Sequence, residues 1–542
     1  MSDPHDTSPD IGGPVACGIV VAAVCAAHAN CLGYPFLFDG IPLAEQLRTL
    51  TRVEPAGWLL PRPRTFGYLT FELQRTLHGM WMPGYHVVNI AIHAAAACLL
   101  GAIVRETLAR AAPRLAAWQR DAAALFAALL FGLHPMATHA VTYLYQRFES
   151  LMGMLFLASI YCLLRAAAAA RPAAWLAACY ACFLLALLTK EVAIVLPVAL
   201  LLFDRCYLSR SWQELWVRRR WLYLAFFATF AAGLAIVLAN IDHYRQGGIF
   251  FFRRIGLWQY LGTQPEIVGH YVRQALWPDH LCIDPAWPVQ DDPRVLAAEW
   301  LAVGVVAGTL AWLWRRDKRL AYLPLLGVLV LLPTSSVVTV IDLAFEHRFY
   351  LCLAPLAAAV SLAAVVGLPA ALGRLGLRDA TLRRRATLAI LAVVCVALGV
   401  ATNRRNTVHE SLATLWADTA LKAPHNTRAW VTLGTVMDAA GRTQEAMDCY
   451  VQLVRLYRGA AGREPHPLGA IARRTPRTIE YVWYGYCRLA EEALNRGEAA
   501  VARRLYDELV AMPELPNGRL DHPRIKALRE RLAAAGQART PH

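Results

Sequence analysis

A carboxylate, several arginines and a run of aromatics sit together between Tyr34 and Gly84. The stretch opens YPFLFDG, which sets Asp39 just beyond an apolar run, and continues through LLPRPRTFGYLTF, which carries Arg62 and Arg64. A carboxylate can accept or orient a proton, a guanidinium binds phosphate through a two-pronged fork, and aromatic rings supply a stacking surface. That set suits a lipid-phosphate-linked substrate.

Four further segments carry reactive or anion-binding side chains. LLFGLHPMATHAVTYLYQRFESL holds His134, His139, Tyr143, Tyr145, Gln146, Arg147 and Glu149. Pro135 lacks an amide hydrogen, so the helix kinks or stops near His134, and a short interfacial helix carries the rest. These residues read either as an aromatic belt at a membrane surface or as the wall of a site. LLALLTKEVAIVLPVALLLFD places Lys190 and Glu191 at a tight turn, either as a local ion pair or as a contact for a donor phosphate. VIDLAFEHRFYLCLAP supplies Asp342, Glu346, His347 and Arg348, and Arg348 is the first choice for a phosphate ligand. In YHVVNIAIH, His86, Asn89 and His93 recur at helical spacing and share one face. Hydrogen bonding between helices is favoured there over contact with substrate.

The elements that must position these groups are membrane spans. Of 542 residues, 57% are hydrophobic and only 17% charged, which marks a polytopic membrane protein with a polar appendage. About eleven apolar stretches are long enough to span, near 12–31, 85–104, 122–141, 148–165, 173–189, 191–208, 221–240, 298–314, 320–340, 351–368 and 386–402. Arginines concentrate in alternate loops: Arg105 to Arg120, Arg165 and Arg171, Arg205 to Arg220, RRDKR at 315–319, and Arg374 to Arg385. Those loops are cytoplasmic by the positive-inside rule, so the loops near 32–84 and 241–297 and the segment after Asn403 face outward. The first span is read as retained: AHA at 27–29 resembles a signal-peptidase site, but no basic stretch precedes it. The net charge of +15 reflects the same loop arginines, and no nucleic-acid motif accompanies it. Around Arg253, Arg254 and Arg273, Trp and Phe clusters read as a segment lying on the membrane surface. The thirteen cysteines form no disulfide framework or metal-binding pair, with Cys449 and Cys487 the one pairing open to proximity.

From Asn403 the chain turns polar and Ala-rich. Trp430, Leu433, Gly434, Ala446 and Tyr450 occupy the signature positions of a 34-residue tetratricopeptide repeat. Trp416 and Pro424 end a preceding half-repeat, and Tyr486, Leu489, Ala490, Ala502 and Tyr506 make a weaker copy. The reading is therefore an all-α chain: a membrane domain over 1–402 and a tetratricopeptide-like helical domain over 403–542.

The HPMATHAVTYLYQRFESL, TKEVAIVLPVALLLFD, YLGTQPEIVGHYVRQALWPDHLCIDPAWPV and FEHRFYL blocks, in this order and ahead of the repeats, resemble bacterial relatives of the transmembrane and tetratricopeptide-repeat O-mannosyltransferases. These belong to the GT-C glycosyltransferase superfamily, and the resemblance runs from about Phe36 to Tyr457. It implies an inverting transfer, at the outer face of a bacterial inner membrane, from a polyprenyl-phosphate sugar to a hydroxyl such as a protein Ser or Thr. In that family an acidic residue of the first outer loop serves as base or acceptor-positioning group, here Asp39, and arginines hold the donor phosphate, here Arg348 with Arg62 or Arg64. The chain departs from the family twice: the usual paired acid of the first loop is Asp39-Gly40, and the acid after the HP block is His139. No cofactor is implied and a divalent metal is not required; the donor lipid is a substrate, and the repeats offer a place for an acceptor protein. The other reading is a non-catalytic scaffold that recruits partners through its repeats. Convergence of Asp39, Arg62, Arg64, Arg147, Lys190 and Arg348 on one cavity separates the two.

Overall fold

A computed structural model describes residues 13–49, 64–239, 255–475 apart from 337 and 341, 481–512, and 521–537. Arg62, Arg253 and Arg254 lie outside the described residues. Every regular element among the described residues is helical.

The apolar runs form the helices the sequence calls for. The bundle comprises α1 (Gly13–His28), α2 (Gly40–Thr49), α3 (Thr65–His78), α4 (Met82–Ala111), α5 (Ala117–Gly132), α6 (Arg147–Ala166), α7 (Ala173–Leu187), α8 (Leu196–Phe203) and α9 (Trp212–Ala239). It continues with α10 (Leu257–Leu276), α11 (Pro293–Leu331), α12 (Leu353–Arg374) and α13 (Ala380–Asn406). Each of the eleven apolar stretches overlaps helix among the described residues, but 320–340 is helical only as far as Thr334. By length and composition six helices among the described residues can cross a bilayer, or seven when Ala117–Gly132 and Pro135–Val141, bent by 49°, count as one span. The stretch 298–314 and the first part of 320–340 are two arms of the single helix α11, which breaks at Asp317 (φ −155°, ψ 105°) inside RRDKR. Helix α7 is apolar but shorter.

Pro135 acts as its chemistry requires. Helix α5 stops at Gly132, and a 3₁₀ turn (Pro135–Ala137), one α-turn (Thr138–Val141) and a second 3₁₀ turn (Leu144–Gln146) lead into α6. The interfacial helix read from sequence is thus three short turns, and Arg147 and Glu149 belong to the first turn of the next long helix. Helix α6 packs against α4 and α7, α4 against α5, and α12 against α5. Gly153 lets α6 approach the start of α12: a Cβ there would meet Tyr350 Cε1 at 2.8 Å.

The polar face of α4 is spent on interhelix bonds. His93 Nδ1 lies 2.8 Å from Tyr350 Oη and Nε2 3.2 Å from the Gly132 carbonyl. Asn89 Nδ2 donates to the Val141 carbonyl at 3.0 Å, and His86 Nε2 lies 3.0 Å from the Tyr34 carbonyl. Helix α10 is amphipathic as read: Tyr260, Ile267 and Tyr271 are buried while Trp258 and Leu276 are exposed. At the far end of the bundle Arg319 Nη1 donates to the Ala111 carbonyl and Tyr207 Oη to the Arg319 carbonyl. This brings three of the arginine-bearing turns together, opposite the end that holds Asp39.

After Asn406 come α14 (Leu412–Lys422), α15 (Thr427–Ala439), α16 (Thr443–Ala460), α17 (Val482–Asn495), α18 (Ala499–Val510) and α19 (Pro523–Gln537). Ser411 caps α14 through the Thr414 N–H, and Asn426 caps α15 through the Ala429 N–H. Helices α15 and α16, and α17 and α18, pack as neighbours in hairpins. The α15–α16 hairpin closes over Gly434, where a Cβ would lie 2.6 Å from the Tyr450 ring. Cys449 and Cys487 are both buried and both free.

Tyr350 is fully buried between His93 and Phe131 and cannot swing aside. Gly153→Ala therefore forces a backbone or ring shift, expected to cost about 1–3 kcal/mol. Thermal unfolding in detergent should show a lowered melting temperature; an unchanged one means that the two helices are not in contact there.

Candidate active site

The helix ends at one end of the bundle surround a polar cavity of about 240 Å³. Each wall comes from a different element. Phe38 and Asp39 precede α2, Arg64 precedes α3, and His139, Tyr143, Tyr145 and Gln146 come from the turns after Pro135. Glu149 starts α6, Lys190 and Glu191 follow α7, and Asp342, Phe345, His347 and Arg348 precede α12.

Of the residues singled out in the sequence, Asp39, Arg64, His139, Lys190, Glu191, His347 and Arg348 line this cavity. The Asp39 N–H donates to Tyr143 Oη at 2.9 Å, which fixes the loop that presents its carboxylate. Phe38 just before it has φ +46°, a left-handed conformation that a bulky residue adopts only under tertiary constraint.

Lys190 and Glu191 do not pair with each other. Lys190 Nζ makes a buried ion pair with Glu149, and Glu191 accepts the Arg64 guanidinium in a two-pronged contact at 2.6 and 3.2 Å. The reason is the backbone: Lys190 is extended (φ −155°, ψ 136°) and Glu191 opens a 3₁₀ turn, so neighbouring side chains point apart. Arg348 differs from both cations. Its Nη1 donates to the Leu343 carbonyl at 2.9 Å and its Nη2 to the Asp342 carbonyl at 2.7 Å, and it lies 5.5 Å from the Phe345 ring. No described carboxylate pairs with it.

The other candidates lie elsewhere. Arg147 is fully buried away from the cavity: Nε donates to Asn89 Oδ1, Nη2 donates to the Tyr85 carbonyl, and its guanidinium lies 3.9 Å from the Phe71 ring. It sits two residues from Glu149 and so points to another side of α6. His86 ties α4 to the loop after α1 through the Tyr34 carbonyl, and His134 is a structural link, accepting the Met136 N–H at 3.1 Å with Nε2 2.8 Å from the Ala275 carbonyl. Glu346 lies behind the cavity. It accepts the Cys282 N–H and approaches His139 Nδ1 at 3.9 Å and Arg405 at 3.8 Å. His139 Nε2 in turn is 3.4 Å from His347 Nδ1, so a file of Glu346, His139 and His347 leads from the buried carboxyl to the cavity. Burial, and then the Lys190 ammonium, hold the His347 imidazole well below its ordinary pKa, so it is neutral. Among the described residues no three His, Cys, Asp or Glu side chains are grouped to hold a metal ion.

Sequence reasoning passed over Arg428, Asp284 and Arg405. A signal for Arg428 exists: it stands in the first turn of α15, where the helix dipole disfavours a cation, so an outside anion is implied.

A helical membrane protein with a polar cavity at one end of its bundle, containing carboxylates and cations, is the class that fold and site define. Residues 89–239, under a third of the chain, match the family model described as dolichyl-phosphate-mannose-protein mannosyltransferase. The protein O-mannosyl-transferase Tmtc3 of Drosophila melanogaster is 33% identical over 152 residues, covering 25% of this chain and 16% of that protein. The chain thus matches only a small part of that relative's length. The crystal structure of ArnT from Cupriavidus metallidurans bound to undecaprenyl phosphate aligns over 98% of this chain and 88% of that one, at 14% identity and a TM-score of 0.41. Over residues 89–239 the chain is thus similar to protein mannosyltransferases.

Burial raises the Glu346 carboxyl from its ordinary 4.5 to about 7, against the opposing pull of Arg405. The folded protein therefore holds this proton more tightly than the unfolded chain. That contribution to stability is complete below about pH 4.5 and is lost as pH rises through 7. Glu346→Gln removes the buried charge and should raise the melting temperature at pH 8.5, by the equivalent of roughly 2–3 kcal/mol, but not at pH 5. An offset that does not change with pH would show that Glu346 is not the titrating group.

Proposed function

We propose that this protein is an integral-membrane glycosyltransferase that moves a sugar from a polyprenyl-phosphate donor to an acceptor hydroxyl, with inversion, at the outer face of a bacterial inner membrane. One observation carries the reading: Asp39 and Arg348 line one cavity, and Arg348 is the cation there without a described carboxylate partner, whereas Glu149 and Glu191 neutralise Lys190 and Arg64. A guanidinium held only by carbonyls keeps its full charge for an incoming anion. A scaffold has no use for that arrangement.

In the reaction the acceptor oxygen forms a bond to the anomeric carbon as the bond from that carbon to the phosphate oxygen breaks. The acceptor proton passes to the Asp39 carboxylate. The polyprenyl phosphate departs with the bonding electrons, and Arg348 stabilises the added negative charge. His347, neutral and backed by His139, offers a hydrogen bond to the sugar or the phosphate. The exposed apolar surface of α11 leaves a hydrocarbon flank for the lipid tail. The helical hairpins after Asn403, with Gly434, Ala446 and Tyr450 at their repeat positions, act as a tetratricopeptide-type array that presents a peptide hydroxyl, probed as a protein Ser or Thr.

The orientation has a direct test. The arginine-bearing turns lie opposite the cavity, so an alkaline-phosphatase fusion at the C-terminus should be active and a fluorescent-protein fusion dark. The reverse pattern would put the cavity on the cytoplasmic side.

Asp39 decides the chemistry. Asp39→Asn keeps the shape and helix-capping capacity of the side chain, so the variant should insert and fold normally. Transfer assayed with purified protein and lipid-linked donor should fall by ~10²–10⁴-fold. Wild-type rates would remove Asp39 from the mechanism.

A further inference from the structure

Both reacting walls of the cavity are held by one side chain of the C-terminal helices. Arg428, in the first turn of α15, is buried, with a relative exposure of 6%. Its Nη1 pairs with Asp284 Oδ2 at 2.9 Å and its Nη2 with Asp342 Oδ1 at 2.7 Å. Its guanidinium also lies 5.6 Å from the ring of Phe38, which meets Trp416 of α14 edge-on at 5.2 Å. The two residues it touches in the cavity wall are the ones that matter there. Phe38 precedes Asp39, and the backbone carbonyl of Asp342 accepts Arg348 Nη2. Around it Asn426 Nδ2 donates to the Asp284 carbonyl at 2.8 Å and Lys422 Nζ to the Leu281 carbonyl at 2.8 Å, so the start of α15 is fastened to the loop behind the cavity.

We propose that Arg428 is a positioning residue: its fork bridges Asp342 and Asp284 and packs on Phe38, so the C-terminal helices set the alignment of Arg348 and Asp39 across the cavity. The inference rests on the reading of Arg348 as the phosphate ligand. The planar fork presents one nitrogen to each carboxylate in a fixed geometry, whereas an ammonium is a single point charge that does not hold the two acids in that register. With the fork lost, the half-buried Asp342 loses its tie to α15, and its backbone carbonyl, which aims Arg348, shifts with it. Strain at Phe38 is then also free to relax, carrying Asp39 with it. By the same route, anything that displaces α15 is felt at the site, which gives the helical array a means of reporting its occupancy to the cavity.

The test is a double-mutant cycle on the purified full-length protein in nanodiscs, with undecaprenyl phosphate as the probe and its affinity as the readout. Arg348→Gln should weaken binding about tenfold or more. Arg428→Lys should weaken it by a comparable factor in the wild-type background and by nearly nothing in the Arg348→Gln background, because it acts through Arg348. Should Arg428→Lys fail to fold, Asp342→Asn breaks the same link from the membrane side and should show the same non-additivity. Equal losses in both backgrounds, or no loss from Arg428→Lys while Arg348→Gln loses binding, overturn the positioning role alone. No loss from Arg348→Gln overturns the phosphate site, and this inference with it.

Discussion

A positive charge that must stay available cannot be held by a negative one. Arg348 meets that constraint by resting on two peptide carbonyls, Asp342 and Leu343, which orient the guanidinium without cancelling it. Carbonyl ligands are only as well placed as the segment that carries them, and Asp342 and Leu343 belong to the connection between α11 and α12, just ahead of the 3₁₀ turn Glu346–Phe349. Its rigidity is imported. Tyr271 Oη accepts the Phe345 N–H at 2.8 Å, the Cys282 N–H is held by Glu346, and Arg428 anchors Asp342. The cavity is thus a place where connections from six parts of the chain are each fixed by a residue belonging to another part.

The ion pairs of this region divide into two kinds. Lys190–Glu149 is buried, and removing one partner leaves an unpaired charge in a poorly solvated site; Arg428 is buried as well but is shared between two acids. Arg64–Glu191 has an exposed acid and is a weaker tether. Glu346 belongs to neither kind. It is surrounded by cations but satisfied mainly by one amide, and so it sits close to neutral.

Sequence reading recovered the helical class and picked out many of the residues that line the cavity because residue type and helical end-point are both local properties. Asp39, Arg64, Lys190 and Arg348 each follow or precede an apolar run, and all such ends on one side of a bundle must meet. It could not separate Arg147, His86 and His134 from the cavity residues because a polar residue near a helix end looks the same whether its neighbour is a cavity or another helix. A rotation of two residues along α6 separates Glu149 at the cavity from Arg147 in the core, and no single-sequence pattern fixes that rotation. The two readings of Lys190 and Glu191 stayed open for a related reason: adjacency in sequence hides an extended backbone that sends the two side chains apart. Arg428 was out of reach because its partners lie 86 and 144 positions away, although its place in a first turn was anomalous.

The order of these partners along the chain bears on how the protein enters a membrane. Helix α6 is the most enclosed of the spanning segments and begins with an arginine and a glutamate, each costly to place in lipid alone. The groups that satisfy Arg147, on Phe71, Tyr85 and Asn89, are synthesised before it, whereas Lys190, the partner of Glu149, comes 41 residues later. During insertion α6 therefore meets one ready-made receptor and must wait for the other. The Glu149 carboxylate is paired only once the end of α7 is in place, which ties α4, α6 and α7 into one unit of the folded bundle.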